Sequence, residues 1–338
     1  MNLTLQIIKS SELTSNDEEK INNFLFSEIF LSNTIFMSPA WAHKNQKNYN
    51  IDSFFYLFLV DNEIVAMNLI SLEYRGYMRF CRDSSGIRLL IKKILKIFTK
   101  YIIWKTPMLI SKKIIPENRL LLLKKFEVAI NSLEIKIKHS PVFFNTFFDS
   151  SSIWGTFLID LRSGNYQEIY NSFTRSLRRS LRKKDGLSIK NLNFFNKDEL
   201  NKYCDWATIS QVNSDKNFLY TPTILLDQKN NFSRSGFIYE IFIVEDAKNN
   251  LLGSMAIYGD SNYVTEAEAI TCKKENLGIN IHDLIRNQII IYCIDNKISY
   301  YDLAGFNPHK QISKKEQNIY FAKSKFRCGE ILFNVVES

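Results

Sequence analysis

With 338 residues, 45% of them hydrophobic, the chain can bury one large core or two ordinary ones, which excludes a disordered or fibrous class. Its 44 basic against 35 acidic residues give a formal charge of +9, favouring anionic partners such as nucleic acid, nucleotide phosphates or a membrane surface. The 5 cysteines stand apart with no CxxC pair, which argues against a disulfide framework or a zinc site, and no apolar run is long enough to span a bilayer.

The opening MNLTLQIIKSSELTSNDEEK lacks the basic, apolar and small-residue order of a secretion signal, so a cytoplasmic chain is expected. A helix is predicted around Asp17 to Phe30. Ser38 and Pro39 then supply a helix start, with Trp41 facing inward and Lys44 one turn further along. Phe54 to Val60 and Glu63 to Leu72, joined by Asp61-Asn62, read as a hairpin. From Ile87 to Ile103 apolar residues recur with a helical period among lysines; such a helix either covers a sheet or docks on anionic lipid. A strand at Met108 to Ile110, a helix from Pro116 to Asn131 and a strand at Leu133 to Lys138 complete the first part.

The polar run FDSSS (Phe148 to Ser152) marks a boundary. Trp154 to Leu161 opens the second part as a strand. One basic helix follows from Ser163 or Asn165 to Lys184, closed by Asp185 and a left-handed Gly186. Leu187 to Phe195 reads as a strand, and Asn196 with Glu199 starts the next helix. Phe237 to Glu245, Leu251 to Tyr258 and Tyr263 to Thr271 form a three-stranded antiparallel meander. A helix from Ile279 to Asn296 and a buried strand from Ile298 to Leu303 come next, and a polar, Lys/Arg-rich segment leads to the final strand. The expected class is α/β (α+β): two similar units, 1–150 and 151–338, each a mixed, largely antiparallel sheet flanked by helices, with a cleft between them.

A meander, a helix and a following strand make up the core order of the GNAT acyltransferase fold, and two such units in one chain resemble the Fem-type aminoacyltransferases. Phe36-Met37-Ser38-Pro39-Ala40-Trp41 with Lys44 is similar to the family's early segment of an aromatic, Gln, Ser, two residues and Trp before a lysine. WGTFLIDL with SLRRSLRKKDGLSIK resembles the start of its second unit, YYDLAG its Tyr-Asp-x-x-Gly strand end, and NIYFAKSKFRCGE its closing Phe-Lys-x-x-Phe-Gly-Gly-Glu. Met37 stands in place of Gln, Ala322 in place of Phe, and Arg327 and Cys328 in place of the paired glycines. No long heptad segment is present, so the compact form is the better comparison.

The resemblance implies amide formation on an amine of a peptidoglycan or surface-glycan precursor, with aminoacyl-tRNA as donor and no bound cofactor. An acyl-CoA donor and a non-catalytic protein that binds tRNA or a lipid-linked precursor are the alternatives. Acyl transfer to an amine needs a deprotonated amine, two reactants held together and fixed positive charge at the developing oxyanion. Lys323 matches the motif lysine and is expected to stabilise that charge, unless it is one more solvated lysine beside Lys314, Lys315 and Lys325. Asp302 either orients the amine and takes its proton or caps a turn. Trp41 and Lys44 match the early motif, with Lys44 implied at precursor phosphates; a plain surface lysine is the other reading.

Glu266 and Glu268 alternate on one strand and so point the same way, lining a cleft as substrate contacts or lying on a solvated face. Arg179, in the basic helix, either tracks a tRNA backbone or is solvated. Asp283 is read as a helix-start acid that complements the dipole. The histidines show no ligand spacing, so no metal site and no covalent intermediate are expected. Gly278-Ile279-Asn280 is too poor in glycine for the usual pyrophosphate loop, which counts against acetyl-CoA.

Overall fold

The structure is a computed structural model that describes residues 3–336 except 29, 31, 50, 75–99, 139, 143–150, 184–185, 213–219, 272–279 and 309–312. The chain divides into two units, Met1–Ile153 with Phe333–Ser338, and Trp154–Leu332.

In the first unit the elements are β1 (Leu3–Lys9), α1 (Ser15–Ser27), α2 (Pro39–Tyr49), β2 (Asp52–Val60), β3 (Glu63–Tyr74), β4 (Lys100–Ile103), β5 (Leu109–Ile110), α3 (Pro116–Asn131) and β6 (Ser140–Val142). The sheet runs β1-β2-β3-β4 with β5 also on β3, every pair antiparallel. The predicted hairpin is β2-β3. Asp61 and Asn62 turn it with φ of 50° and 66°, the left-handed pair that a two-residue turn needs to follow the strand twist. The Ser38 hydroxyl accepts the Trp41 amide at 3.1 Å and Pro39 fills the first turn of α2, as the sequence predicts. α3 also starts on its proline, and its Leu122, Phe126 and Ile130 pack on Tyr56, Phe58 and Trp104.

Two expectations fail here. Residues 100–103 are not the end of a helix; they form β4, antiparallel to Ser71–Tyr74, because the short Tyr-Ile-Ile run finds an open strand edge. Residues 87–99 of that expected helix lie outside the described residues. Nor does 133–138 form a strand. Glu134 turns the backbone to φ 51° and leaves a single parallel bridge between Ile137 and Ile102.

The second unit holds β7 (Ser151–Asp160), α4 (Tyr166–Ser172), α5 (Arg175–Leu181), β8 (Leu187–Asn191), α6 (Lys197–Val212), α7 (Pro222–Arg234), β9 (Ile238–Asp246), β10 (Leu251–Gly259), β11 (Tyr263–Thr271), α8 (Ile281–Asp295), β12 (Tyr300–Phe306), α9 (Lys314–Ser324) and β13 (Gly329–Val336). Its sheet runs β13-β7-β12-β11-β10-β9-β8; β11-β12 is a parallel pair, and β7-β12, β10-β11, β9-β10 and β8-β9 are antiparallel. The last residues of β13, counted with the first unit, pair with β6 there. The predicted meander is β9-β10-β11. α8 covers it by packing Leu284, Ile285 and Ile289 against Phe242, Met255, Ile257 and Val264.

The expected single basic helix is two. The chain turns at Phe173, the Thr174 hydroxyl caps α5 through the Leu177 amide at 3.4 Å, and the Thr174 amide donates to the Lys325 carbonyl at 2.9 Å. Gly186 does adopt a left-handed φ of 77°. The strand expected over 187–195 stops at Asn191. α7 and α9 were not foreseen, although Thr221-Pro222 and the Ser313/Glu316 capping box announce them.

Candidate active site

The site is built where the parallel pair of the second unit ends. β11 and β12 are paired only over Tyr263–Thr265 and Tyr300–Asp302. Past that point both strands are irregular. On β11, Ala256 faces Ala267 but Ser254 faces Ile270, so one extra residue bulges out, and Glu268 takes φ 50°. On β12 the pairing with β7 slips between Asp302 and Gly305, and Ala304 takes φ 60°. The ladder is therefore interrupted on both sides of one split, and polar side chains and backbone groups collect there.

Glu266 follows the last paired residue of β11. Its carboxylate accepts two hydrogen bonds from Arg286 of α8, from Nε at 2.7 Å and Nη2 at 2.8 Å, and a third from the Tyr301 hydroxyl at 3.2 Å. Burial would raise its pKa, but the Arg286 guanidinium and the Lys323 ammonium outweigh that and hold it below the usual carboxylate range. Lys323 reaches the same group from α9. Its Nζ lies 3.6 Å from Glu266 Oε1 and donates to the Gly305 carbonyl at 3.0 Å. At 6% exposure it is not a solvated lysine. Burial pushes its pKa down, Arg286 adds to this, and the carboxylates of Glu266 and Asp302 oppose it.

Asp302 ends the paired part of β12. It accepts hydrogen bonds from the Thr156 hydroxyl, from Tyr263 Oη at 2.7 Å and from the Ala304 amide at 2.7 Å. Burial raises its pKa against those donors and against the Lys323 charge. Tyr263, itself pushed well up by burial and by Asp302, stays a donor. Asp283, in the first turn of α8, is 1% exposed and lies 3.7 Å from Arg286 Nη1 and 3.6 Å from Lys325 Nζ. It is thus part of a buried ionic cluster rather than a surface complement to the helix dipole, which corrects the expectation.

Lys323, Asp302 and Lys325 are therefore brought to one cluster. Glu268 is not on the same side as Glu266. Glu266 is paired with Ile257, on the α8 face, whereas Glu268 accepts from Tyr258 at 2.8 Å and from Tyr220 at 3.4 Å on the other. The bulge breaks the period-2 alternation on which the expectation rested. Arg179 stands on the exposed side of α5, among Arg175, Arg178, Arg182 and Lys183. Trp41 and Lys44 belong to the first unit, where the buried Lys44 places its Nζ 4.4 Å from the Trp41 ring centroid. Arg286, Tyr301, Tyr263 and Thr156 were not singled out from the sequence.

The substituted motif positions have structural answers. Met37 is buried, and its thioether takes the Leu69 amide at 3.0 Å, so an acceptor is kept where the family motif has glutamine. Arg327 takes φ 49°, the conformation that a glycine adopts without strain. Burial pushes the Cys328 thiol up to about 12, which leaves it protonated. Gly278 and Ile279 lie outside the described residues. Among the described residues no group of three or more His, Cys, Asp or Glu is placed to hold a metal ion.

Gly305 is fixed by space as well as by its carbonyl. A Cβ there would come within 2.2 Å of Trp154 Nε1. Gly305→Ala must therefore push Trp154 or the β12 backbone aside, at about 1–3 kcal/mol. The shift also carries the carbonyl that holds Lys323. Chemical denaturation will show the loss, and an unchanged midpoint would mean that the strand end yields freely.

No family model and no curated protein matches the sequence. Solved structures do. FemX aligns with a TM-score of 0.59 at 10% identity, over 97% of this chain and 96% of that one. The C-terminal domain of a putative lysylphosphatidylglycerol synthetase from Agrobacterium fabrum aligns at 0.58 and 10%, over 96% and 92%. A tandem GNAT protein of clavulanic acid biosynthesis aligns at 0.52 and 9%, over 99% and 98%. The chain thus shares its fold, over nearly its whole length, with FemX and with the tandem GNAT protein, as its motif order implies.

Proposed function

We propose that the chain is an acyltransferase that forms an amide, moving an aminoacyl group from aminoacyl-tRNA to an amine of a cell-wall or surface-glycan precursor. The observation that carries this reading is the buried ammonium of Lys323, held at the β11-β12 split by the Gly305 carbonyl and Glu266 within electrostatic reach of Asp302. A fixed cation there suits the oxyanion that forms when an amine adds to the donor carbonyl. The amine nitrogen bonds to that carbon and gives a proton to Asp302; as the oxyanion collapses, the carbon–oxygen bond to the tRNA ribose breaks and the ribose oxygen takes up that proton, returning Asp302 to its ionised form. Lys323 and Asp302 are the catalytic residues of this scheme; Lys325, which pairs with Asp283 of the same cluster, and Glu268, held by Tyr258 and Tyr220, serve as substrate contacts. Arg179 on its exposed helix faces the tRNA backbone, and Lys44 beside Trp41 takes precursor phosphates. The protein works in the cytoplasm against a nucleotide- or lipid-linked substrate.

The likeness to the tandem GNAT protein supports a second donor, acyl-CoA, on the same site. The likeness to the lysylphosphatidylglycerol synthetase domain adds a lipid hydroxyl to the acceptors worth testing. The deciding experiment offers purified protein charged tRNA or acyl-CoA, each with a UDP-linked amine, a lipid-linked amine or phosphatidylglycerol. Deacylation of the tRNA that depends on the amine is the expected result. Consumption of acyl-CoA instead moves the donor, and consumption of neither leaves a protein that binds tRNA or a lipid-linked precursor without chemistry.

A further inference from the structure

α3 of the first unit has two faces. One buries Leu122, Phe126 and Ile130. The other leaves Leu120, Leu121 and Val128 exposed at 49%, 42% and 69%, with Ile115 before the helix at 56% and Leu133 after it at 38%. A single exposed leucine is ordinary, but Leu121 and Val128, seven positions apart, share one side of the helix, with Leu120 at its margin. Lys112, Lys113, Lys124, Lys125 and Lys136 are exposed in the same stretch. Lys125 reaches back to the Leu3 carbonyl at 3.0 Å, so its stem lies along the helix surface. Glu117, Glu127 and Glu134 are the acids of residues 112–136, so the stretch keeps a surplus of cations.

The composition of the patch says what covers it. The centres of protein interfaces favour Tyr, Trp, Phe and Arg and are poor in lysine. This face is aliphatic and lysine-bearing. Arg119, the arginine of α3, is held by its own Ile114 carbonyl at 3.1 Å. A second copy of the chain would set lysines against lysines. An anionic bilayer suits both parts: the aliphatic side chains enter the acyl boundary while the lysines extend to lipid phosphates. We propose that this face of α3 docks the first unit on an anionic membrane surface. No helix among the described residues is long and apolar enough to cross a membrane, so the contact is one of docking.

The test uses the full chain and vesicles of phosphatidylcholine with or without about one third phosphatidylglycerol. Wild-type protein is expected to sediment with the anionic vesicles alone, less so as salt rises. Leu121→Asp with Val128→Asp puts charge on two exposed positions and is expected to lower the partition about tenfold or more. Circular dichroism checks that this variant is folded; if it is not, Leu121→Ser with Val128→Ser decides. The proposal is overturned if wild-type protein ignores the vesicles or if the variant binds them as well as the parent. It is overturned too if binding is lost only with Arg179→Glu and Arg182→Glu, which would move the contact to α5. Self-association without lipid that the same variant abolishes would give the face to a second copy. None of these outcomes depends on transfer, so this inference and the proposed reaction fail separately.

Discussion

Lys323→Met is expected to lower kcat by about 10²–10³-fold while leaving the donor KM nearly unchanged and the fold intact. Methionine follows the path of the lysine stem and removes the charge together with the hydrogen bond to the Gly305 carbonyl. Glu266 keeps its two hydrogen bonds from Arg286, so the substitution strands no buried carboxylate. Removing a cation that burial already disfavours costs little stability, and the denaturation midpoint should hold or rise. Lys323→Arg should not rescue turnover, because a planar guanidinium does not fit the place of a compact ammonium between the Gly305 carbonyl and Glu266. The pH profile gives a second readout. The role requires protonated Lys323, so turnover falls as pH rises through its pKa, and burial sets that limb below the ordinary 10.5 of lysine. The acid limb belongs to ionised Asp302 and lies above the ordinary 3.8 of aspartate. In Lys323→Met the alkaline limb should disappear from the residual activity. A variant with full kcat and the same profile would remove Lys323 from the chemistry.

The parts of this architecture that were legible in the sequence are those fixed by local pattern. β9-β10-β11 could be read because apolar runs alternate with Asp/Asn/Gly turns, and the β2-β3 hairpin because Asp61-Asn62 supplies left-handed turn residues. Lys323 stood out from Lys314, Lys315 and Lys325 by motif position alone, and its burial separates it from them physically. What could not be read depends on residues far apart in the chain. Arg286 looks like one polar residue on an otherwise apolar helix until Glu266 arrives from β11 and Lys323 from α9. Asp283 reads as a helix-start acid for the same reason. The bulge at Glu268 is invisible because it is a difference in residue count between two paired strands, and neither strand shows it alone. Residues 100–103 carry a helical period that loses to an available strand edge.

Breaking the Glu266–Arg286 pair should have the largest effect on stability. Arg286→Ala removes the guanidinium that neutralises a carboxylate on a side chain 8% exposed, and such a loss costs about 3–5 kcal/mol. Lys323, 3.6 Å away, and the Tyr301 hydroxyl remain as partners, which places the expected cost toward the lower end. The double variant Glu266→Leu, Arg286→Met takes away both charges together and should recover part of the loss, since neither member of the pair is left alone, while Lys323 keeps the Gly305 carbonyl and Asp283 keeps Lys325. The dependence on pH separates this mechanism from a cavity left by the missing side chain. In the parent, the folded-state pKa of Glu266 lies below the unfolded value, so its contribution is present above about 4.5 and is lost as pH falls through the depressed pKa. Without Arg286 the largest opposing charge is gone and burial carries the pKa above the unfolded value. The folded chain then binds the proton more tightly than the unfolded chain, and the contribution of Glu266 now favours folding as pH falls through the raised pKa. Denaturation of parent and variant across the carboxylate range should therefore show the variant's deficit shrinking toward acid. A deficit independent of pH would mean that Arg286 matters for its volume, and that the charge on Glu266 is held by Lys323 instead.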